Sequence, residues 1–190
     1  ENIKENLLSI IKDPYSFKII FEYLTPEQCS VGCEVVKEKL PTMINSACDL
    51  SEVIQYLTPE QCTVICKALK EKLPVFIKSV SDFRIILQYL TPKQRGVIYE
   101  SVKEKLLVII NSAYDLNEVI QYLTPEQCTV VCKALKEKLS TLIKSASDFK
   151  IILQYLTPNQ RGVIYEFVKE KLPVIINSAY DFRELIQYLT

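Results

Sequence analysis

Gln55-Tyr56-Leu57-Thr58-Pro59-Glu60-Gln61-Cys62 is the stretch that decides how this chain folds. Threonine is a good N-cap, proline suits the first helical position where no N–H is needed, and Gln61 stands three residues after Thr58. The motif is therefore a helix start with a capping box. Tyr-Leu-Thr-Pro recurs with its tyrosine at Tyr23, Tyr56, Tyr89, Tyr122 and Tyr155, and Tyr188-Leu189-Thr190 repeats its opening. The spacing is 33 residues each time, a period typical of tandem arrays in which one repeat is one supersecondary unit. Five complete repeats run 16–48, 49–81, 82–114, 115–147 and 148–180 within a single repeat domain spanning 1–190, with a partial repeat at either end. Those partial repeats read as the edges of a piece taken from a longer array.

A second period overlies the first, since residues 49–114 and 115–180 differ at only 10 of 66 positions. Duplication by pairs of repeats accounts for it. One type carries Thr-Pro-Glu-Gln-Cys, from Thr25, Thr58 and Thr124; the other carries Thr-Pro-Lys-Gln-Arg from Thr91 and Thr-Pro-Asn-Gln-Arg from Thr157.

Within the second repeat, Asp49 reads as the cap of a short helix with Glu52 reaching back. Leu50, Val53, Ile54 and Leu57 form its i, i+3, i+4, i+7 stripe. Thr58 opens the next helix, on which Cys62, Ile65, Cys66, Leu69, Leu73, Phe76, Ile77 and Val80 fall on one continuous arc. The stripe keeps its phase through Pro74, so the expectation is one kinked helix of about 20 residues, with a break into two helices as the alternative. Val64, Ala68 and Val75 widen the arc, as expected of a helix that touches its own repeat and the next. The fold expected is an all-α solenoid of five helix–turn–helix repeats.

Composition agrees and excludes several functions. Apolar residues make up 48% and charged residues 24%, with three glycines in 190 residues, which favours a helical globular chain. Lys+Arg and Asp+Glu both number 23, so the broad positive field needed for non-specific nucleic-acid or anionic-membrane binding is not expected. The longest apolar run, Leu106 to Ile110, is far below the roughly 20 residues a membrane span requires, and no membrane insertion is expected. Seven cysteines in a chain with ample core suggest reduced thiols and a reducing compartment.

Three sets of residues are candidates for a site. The pairs Cys29/Cys33, Cys62/Cys66 and Cys128/Cys132 have i, i+4 spacing that invites a metal reading. The matching positions of the neighbouring repeats hold Arg95/Tyr99 and Arg161/Tyr165, and the chain has no histidine. Small apolar packing is the better reading, and no metal is expected. Arg95 with Tyr99 and Arg161 with Tyr165 interrupt an apolar stripe. They read either as a repeated partner contact or as arginines laid over the core edge beside a space-filling tyrosine. Tyr56, Tyr89, Tyr122 and Tyr155 fall on the flank of the first helix beside glutamines such as Gln55 and Gln88. There they either bind a partner or seal the joint between repeats. The Lys-Glu-Lys series, as at Lys70-Glu71-Lys72, reads as a solvated face. Without histidine, a Gly-rich phosphate loop or an acid pair beyond the helix caps, no catalytic residue and no cofactor is expected.

Leu57-Thr58-Pro59-Glu60-Gln61 resembles the repeat opening of plant-pathogen transcription-activator-like effectors. Their Gly-Gly loop with two variable residues is replaced here by the helical run Cys62 to Leu69, and DNA reading is not implied. Ankyrin and tetratricopeptide repeats are excluded by their missing signatures. The chain more closely resembles, over almost its whole length, the Tyr-Leu-Thr-Pro-Glu-Gln helical arrays of secreted effectors from Legionella-type intracellular bacteria. Segments such as Lys70-Glu71-Lys72-Leu73-Pro74 and Ile77-Lys78-Ser79 carry the likeness. That resemblance implies secretion into a host cytosol and binding of a host protein, with no ligand residues transferred. A non-catalytic protein-interaction scaffold is the expected function; the alternative is a spacer or regulatory arm of a multidomain effector enzyme.

Overall fold

Each Thr-Pro-x-Gln opening becomes a helix start by reciprocal hydrogen bonds. In the second repeat the Gln61 N–H reaches Thr58 Oγ1 at 3.3 Å and the Thr58 N–H reaches Gln61 Oε1 at 3.0 Å. The same box closes at Thr25, Thr124 and Thr157. The computed structural model describes residues 2–154 and 156–189, with side chains from residue 5 to residue 188. The chain is all-α, with no strand among the described residues.

Two compact units divide it, residues 1–102 and 103–190. The first contains α1 (Asn2–Ile10), α2 (Pro14–Phe21), α3 (Pro26–Val36), α4 (Leu40–Met43), α5 (Ala47–Ile54), α6 (Pro59–Ala68), α7 (Leu73–Phe76) and α8 (Val80–Leu87). The division falls inside α9 (Pro92–Ile109). The second unit continues with α10 (Ala113–Ile120), α11 (Pro125–Ala134), α12 (Lys136–Leu142), α13 (Ala146–Leu153) and α14 (Pro158–Val168). A 3₁₀ turn (Lys169–Lys171), α15 (Leu172–Ile175) and α16 (Ala179–Leu189) complete it.

In the first unit α2 packs on α5 and α5 on α8; in the second α10 packs on α13 and α13 on α16. The first helices of consecutive repeats thus lie against one another, and second helices do likewise where α4 meets α6 and α11 meets α14. The core comes from the first helices and the second-helix arc: Phe17, Phe21, Leu50, Ile54, Leu69 and Phe83 in one unit, Leu116, Ile120, Leu139, Phe149 and Leu153 in the other.

Three expectations need correction. The first helix is capped by a serine upstream of the aspartate. Ser46 Oγ accepts the Asp49 N–H at 3.1 Å, while Asp49, three residues into the turn, accepts the Asn45 N–H at 2.9 Å. The cap recurs at Ser79, Ser112 and Ser145, and in the first repeat the two residue types exchange roles, with Asp13 as cap and Ser16 at the third position. Second, the long helix is broken in four of the five repeats, and the extent of the break follows the residue at Pro74's place. Proline at 41, 74 and 173 separates α3 from α4, α6 from α7 and α14 from α15. Serine at 140 leaves only Leu135 between α11 and α12, and leucine at 107 leaves α9 uninterrupted for 18 residues. A proline lacks the N–H and its ring crowds the carbonyl four residues back, here Lys37, Lys70 and Lys169, so the preceding turn gives way. Third, Val64, Ala68 and Val75 point outward and are exposed.

Candidate functional site

Neighbouring repeats are tied by polar side chains that bond backbone about one repeat earlier. Gln61 Nε2 donates to the Ser30 carbonyl at 2.9 Å, Gln94 Nε2 to Leu57 at 2.7 Å and Gln160 Nε2 to Leu123 at 3.5 Å. The glutamine of the capping box thus works twice, its oxygen starting its own helix and its nitrogen holding the repeat before it. The second lysine of Lys-Glu-Lys does similar work. Lys39 Nζ donates to the Leu8 and Ile11 carbonyls at 2.8 and 2.6 Å, Lys72 to Pro41 at 3.0 Å, Lys138 to Leu107 at 3.3 Å, and Lys171 to Ser140. Within a series read as mainly a solvated face, the second lysine is thus tied to the repeat before it. Leu8, Pro41, Leu107 and Ser140 all lie in the last turn of their helices, where carbonyls lack intrahelical donors, and an ammonium group from the next repeat reaches them.

Cys29 and the two arginines share an acceptor, whereas Cys62 and Cys128 lie against the second sulfur of their own pairs. Cys29 Sγ donates to the Phe21 carbonyl at 3.5 Å; at the matching positions Arg95 Nε donates to Leu87 at 3.2 Å and Arg161 Nε to Leu153 at 3.3 Å. Each adds a second donor to a carbonyl at the C-terminal end of the first helix, which also accepts the backbone N–H three residues on, from Leu24, Leu90 and Leu156. Arg161 also lays its guanidinium carbon 5.0 Å from the ring centre of Tyr188, the tyrosine of the following repeat. Its ring partner is therefore one repeat away rather than one turn away. Tyr99 is buried and Tyr165 is 37% exposed, so the two Arg–Tyr pairs present different surfaces.

The tyrosine series also divides. Tyr56 is half-buried, its ring 6.0 Å from Phe17 and 6.1 Å from Phe21 in edge and tilted contacts. Burial pushes its hydroxyl pKa up. Tyr122 is half-buried, Tyr89 is 62% exposed, and Tyr155 lies outside the described residues. Val31, Val64 and Val130 repeat on the outer side of the second helices as exposed apolar groups. The widened hydrophobic arc had put this valine position against a neighbouring repeat, and the structure turns it to solvent.

All six paired cysteines are buried and free, with Cys62 and Cys66 sulfurs 3.9 Å apart and Cys128 and Cys132 sulfurs 3.8 Å apart. Burial pushes the Cys33 thiol up to about 12. The sulfur contact within each pair, with burial, pushes Cys66 and Cys132 up as well. A thiol held protonated by burial is a weaker nucleophile than a thiolate. Among the described residues no group of three or more His, Cys, Asp or Glu side chains is placed to hold a metal ion, and no helix is long and apolar enough to cross a membrane. No protein-family model, curated protein or solved structure matches the chain.

Proposed function

We propose that the chain is a non-catalytic protein-binding scaffold, an α-solenoid of five 33-residue repeats that serves a secreted bacterial effector by holding a host protein. The observation that carries this reading is the recurrence of the lysine ties at a constant offset of 31 residues in both units, joined by glutamine ties to the preceding repeat. Within each unit such ties hold successive repeats in one mutual relation, so outward-facing groups recur on its surface at a regular interval. Exposed Val31, Val64 and Val130 with Tyr89 supply the apolar and aromatic contacts such a surface uses. Arg95 and Arg161 hold the ends of the first helices through the Leu87 and Leu153 carbonyls, at matching points two repeats apart.

The test is capture of a partner from host-cell lysate by the immobilised chain, followed by reconstitution with the purified partner. Stoichiometric binding that weakens when Val64 and Tyr89 are replaced by serine supports the scaffold. An inert chain whose attachment alters the activity of a neighbouring enzyme domain would instead make it a regulatory arm.

A further inference from the structure

We propose that two pairs of buried thiols, Cys62 with Cys66 and Cys128 with Cys132, each bind one soft monovalent cation, Cu(I), between their sulfurs. The pairs sit at matching points of α6 and α11, one in each unit, with sulfurs 3.9 and 3.8 Å apart. All four residues are at most 1% exposed. Packing alone does not demand sulfur at these positions, because Arg95 with Tyr99 and Arg161 with Tyr165 occupy them in the neighbouring repeats.

Helix geometry decides what such a pair can join. Residues four apart on a helix hold their Cβ atoms about 5–6 Å from one another, whereas a disulfide draws them to about 3.5–4.5 Å. Closing one here would also pull the sulfurs together by about 1.8 Å, at the expense of the helix. A metal in line between two thiolates, with bonds near the roughly 2.3 Å of zinc to sulfur, spans about 4.6 Å. The sulfurs then need to part by less than about 1 Å, which rotation about χ1 supplies while the helix stays as it is. Zinc itself takes four donors, and among the described residues no group of three or more His, Cys, Asp or Glu side chains is placed to provide them. Cu(I) is selected by soft thiolates and is satisfied by two.

Binding exchanges protons for the metal. Two S–H bonds break, two metal–sulfur bonds form and two protons leave to solvent, with no change of oxidation state. The bound unit carries one negative charge. Cys62 and Cys128 are the fourth residues of their helices, inside the first turn, where the helix dipole favours negative charge. Burial keeps water and outside thiols from adding a third ligand, so each site suits a two-coordinate ion. The first repeat supplies the contrast. Cys29 Sγ turns to the Phe21 carbonyl at 3.5 Å and Cys33 Sγ to the Tyr56 carbonyl at 3.9 Å, so the two sulfurs are committed to separate acceptors. Two sites per 190-residue chain follow, not three.

Anaerobic titration with Cu(I) held in a chromophoric chelator tests this on the whole chain carrying Cys48→Ser, which removes the exposed thiol. The titration is read at equilibrium, because entry to a buried pair needs local opening of the helix start. The chain is expected to draw two equivalents from the chelator and release four protons, and X-ray absorption to show copper with two sulfur neighbours. Cys66→Ala is expected to lose one equivalent, Cys66→Ala with Cys132→Ala both, and Cys29→Ala with Cys33→Ala neither. The absorption spectrum needs no core variant, so it decides the coordination even where an alanine variant fails to fold. Circular dichroism is expected to be the same before and after loading. No uptake, copper with three or more ligands, loss of uptake in the Cys29/Cys33 variant or retention of both equivalents in the Cys66/Cys132 variant would each overturn the proposal. Loss of helix on loading would do so too, since the copper would then be held by unfolded chain.

Discussion

Gln94→Glu separates the two jobs of the capping-box glutamine. Glutamate keeps an oxygen for the Thr91 N–H, which Gln94 accepts at 3.0 Å, so the helix start survives. It removes the Nε2 donor that meets the Leu57 carbonyl at 2.7 Å, in a side chain only 5% exposed. Losing that bond costs roughly 1 kcal/mol, and leaving a buried carbonyl opposite a carboxylate adds about 1–3 kcal/mol, for an expected loss of about 2–4 kcal/mol. Gln28→Glu is the control. Gln28 closes the same box at 2.9 Å but is exposed, so the change is expected to cost less than about 0.5 kcal/mol. Urea unfolding followed by circular dichroism measures both. Burial raises the pKa of the introduced carboxyl in the folded state, so the deficit is full at neutral pH and disappears below the unfolded carboxyl pKa of about 4.3, where the protonated acid donates in place of the amide. Equal losses for the two variants would show that the bond between repeats contributes nothing.

Leu69→Ala and Leu135→Ala, at positions no more than 3% exposed, are each expected to cost about 2–5 kcal/mol; a loss under about 0.5 kcal/mol in urea unfolding would remove them from the core. Arg161→Ala is expected to cost about 1–3 kcal/mol through the Leu153 carbonyl and the Tyr188 ring, with little recovery in Arg161→Lys, which has no Nε donor; an unchanged melting temperature would mean that the guanidinium holds nothing. Of the seven cysteines only Cys48 is exposed, so a thiol reagent should consume one equivalent rapidly in the folded protein and the rest only on unfolding. Cys33 adds a pH dependence: the unfolded thiol ionises near 9.0 and the folded one near 12, so its contribution is intact below pH 9.0 and lost as pH rises toward 12. Cys33→Val should lose less stability than the wild type over that alkaline range, and identical profiles would contradict the assignment.

The starts of the second helices are legible because Thr-Pro-x-Gln satisfies local chemistry without reference to the rest of the fold. The first-helix cap is not, since Ser46-x-x-Asp49 and Asp49-x-x-Glu52 are both plausible boxes and the choice depends on where the preceding chain turns. The helix break is hidden for a related reason. A hydrophobic arc keeps its phase across a short turn as readily as across a kink, so periodicity alone does not distinguish them. The exposure of Val64 and Val75 and the reach of Lys72 to Pro41 depend on where the neighbouring repeats lie, which 3.6-residue periodicity does not contain. Equivalence of Cys29 with Arg95 is visible as an alternation in the sequence. What the two side chains share is a carbonyl acceptor, and that requires the geometry of the preceding helix end.

The two kinds of contact between first helices bear on how such an array can lengthen. Lys18–Glu52 and Lys150–Glu184 join an odd-numbered repeat to the even one after it, while Ser51 reaches Ile85 across a contact of the other kind. Half-exposed ion pairs of this sort are worth at most about 1 kcal/mol, too little to decide whether the chain folds. Their effect is on order. A gene that gained a single repeat would set two like-numbered helices side by side, lysine facing isoleucine or serine facing glutamate, whereas a gain of 66 residues restores every pairing. The charges thus act as punctuation that makes the doublet the unit of inheritance, and an array selected for length would grow and shrink in steps of two.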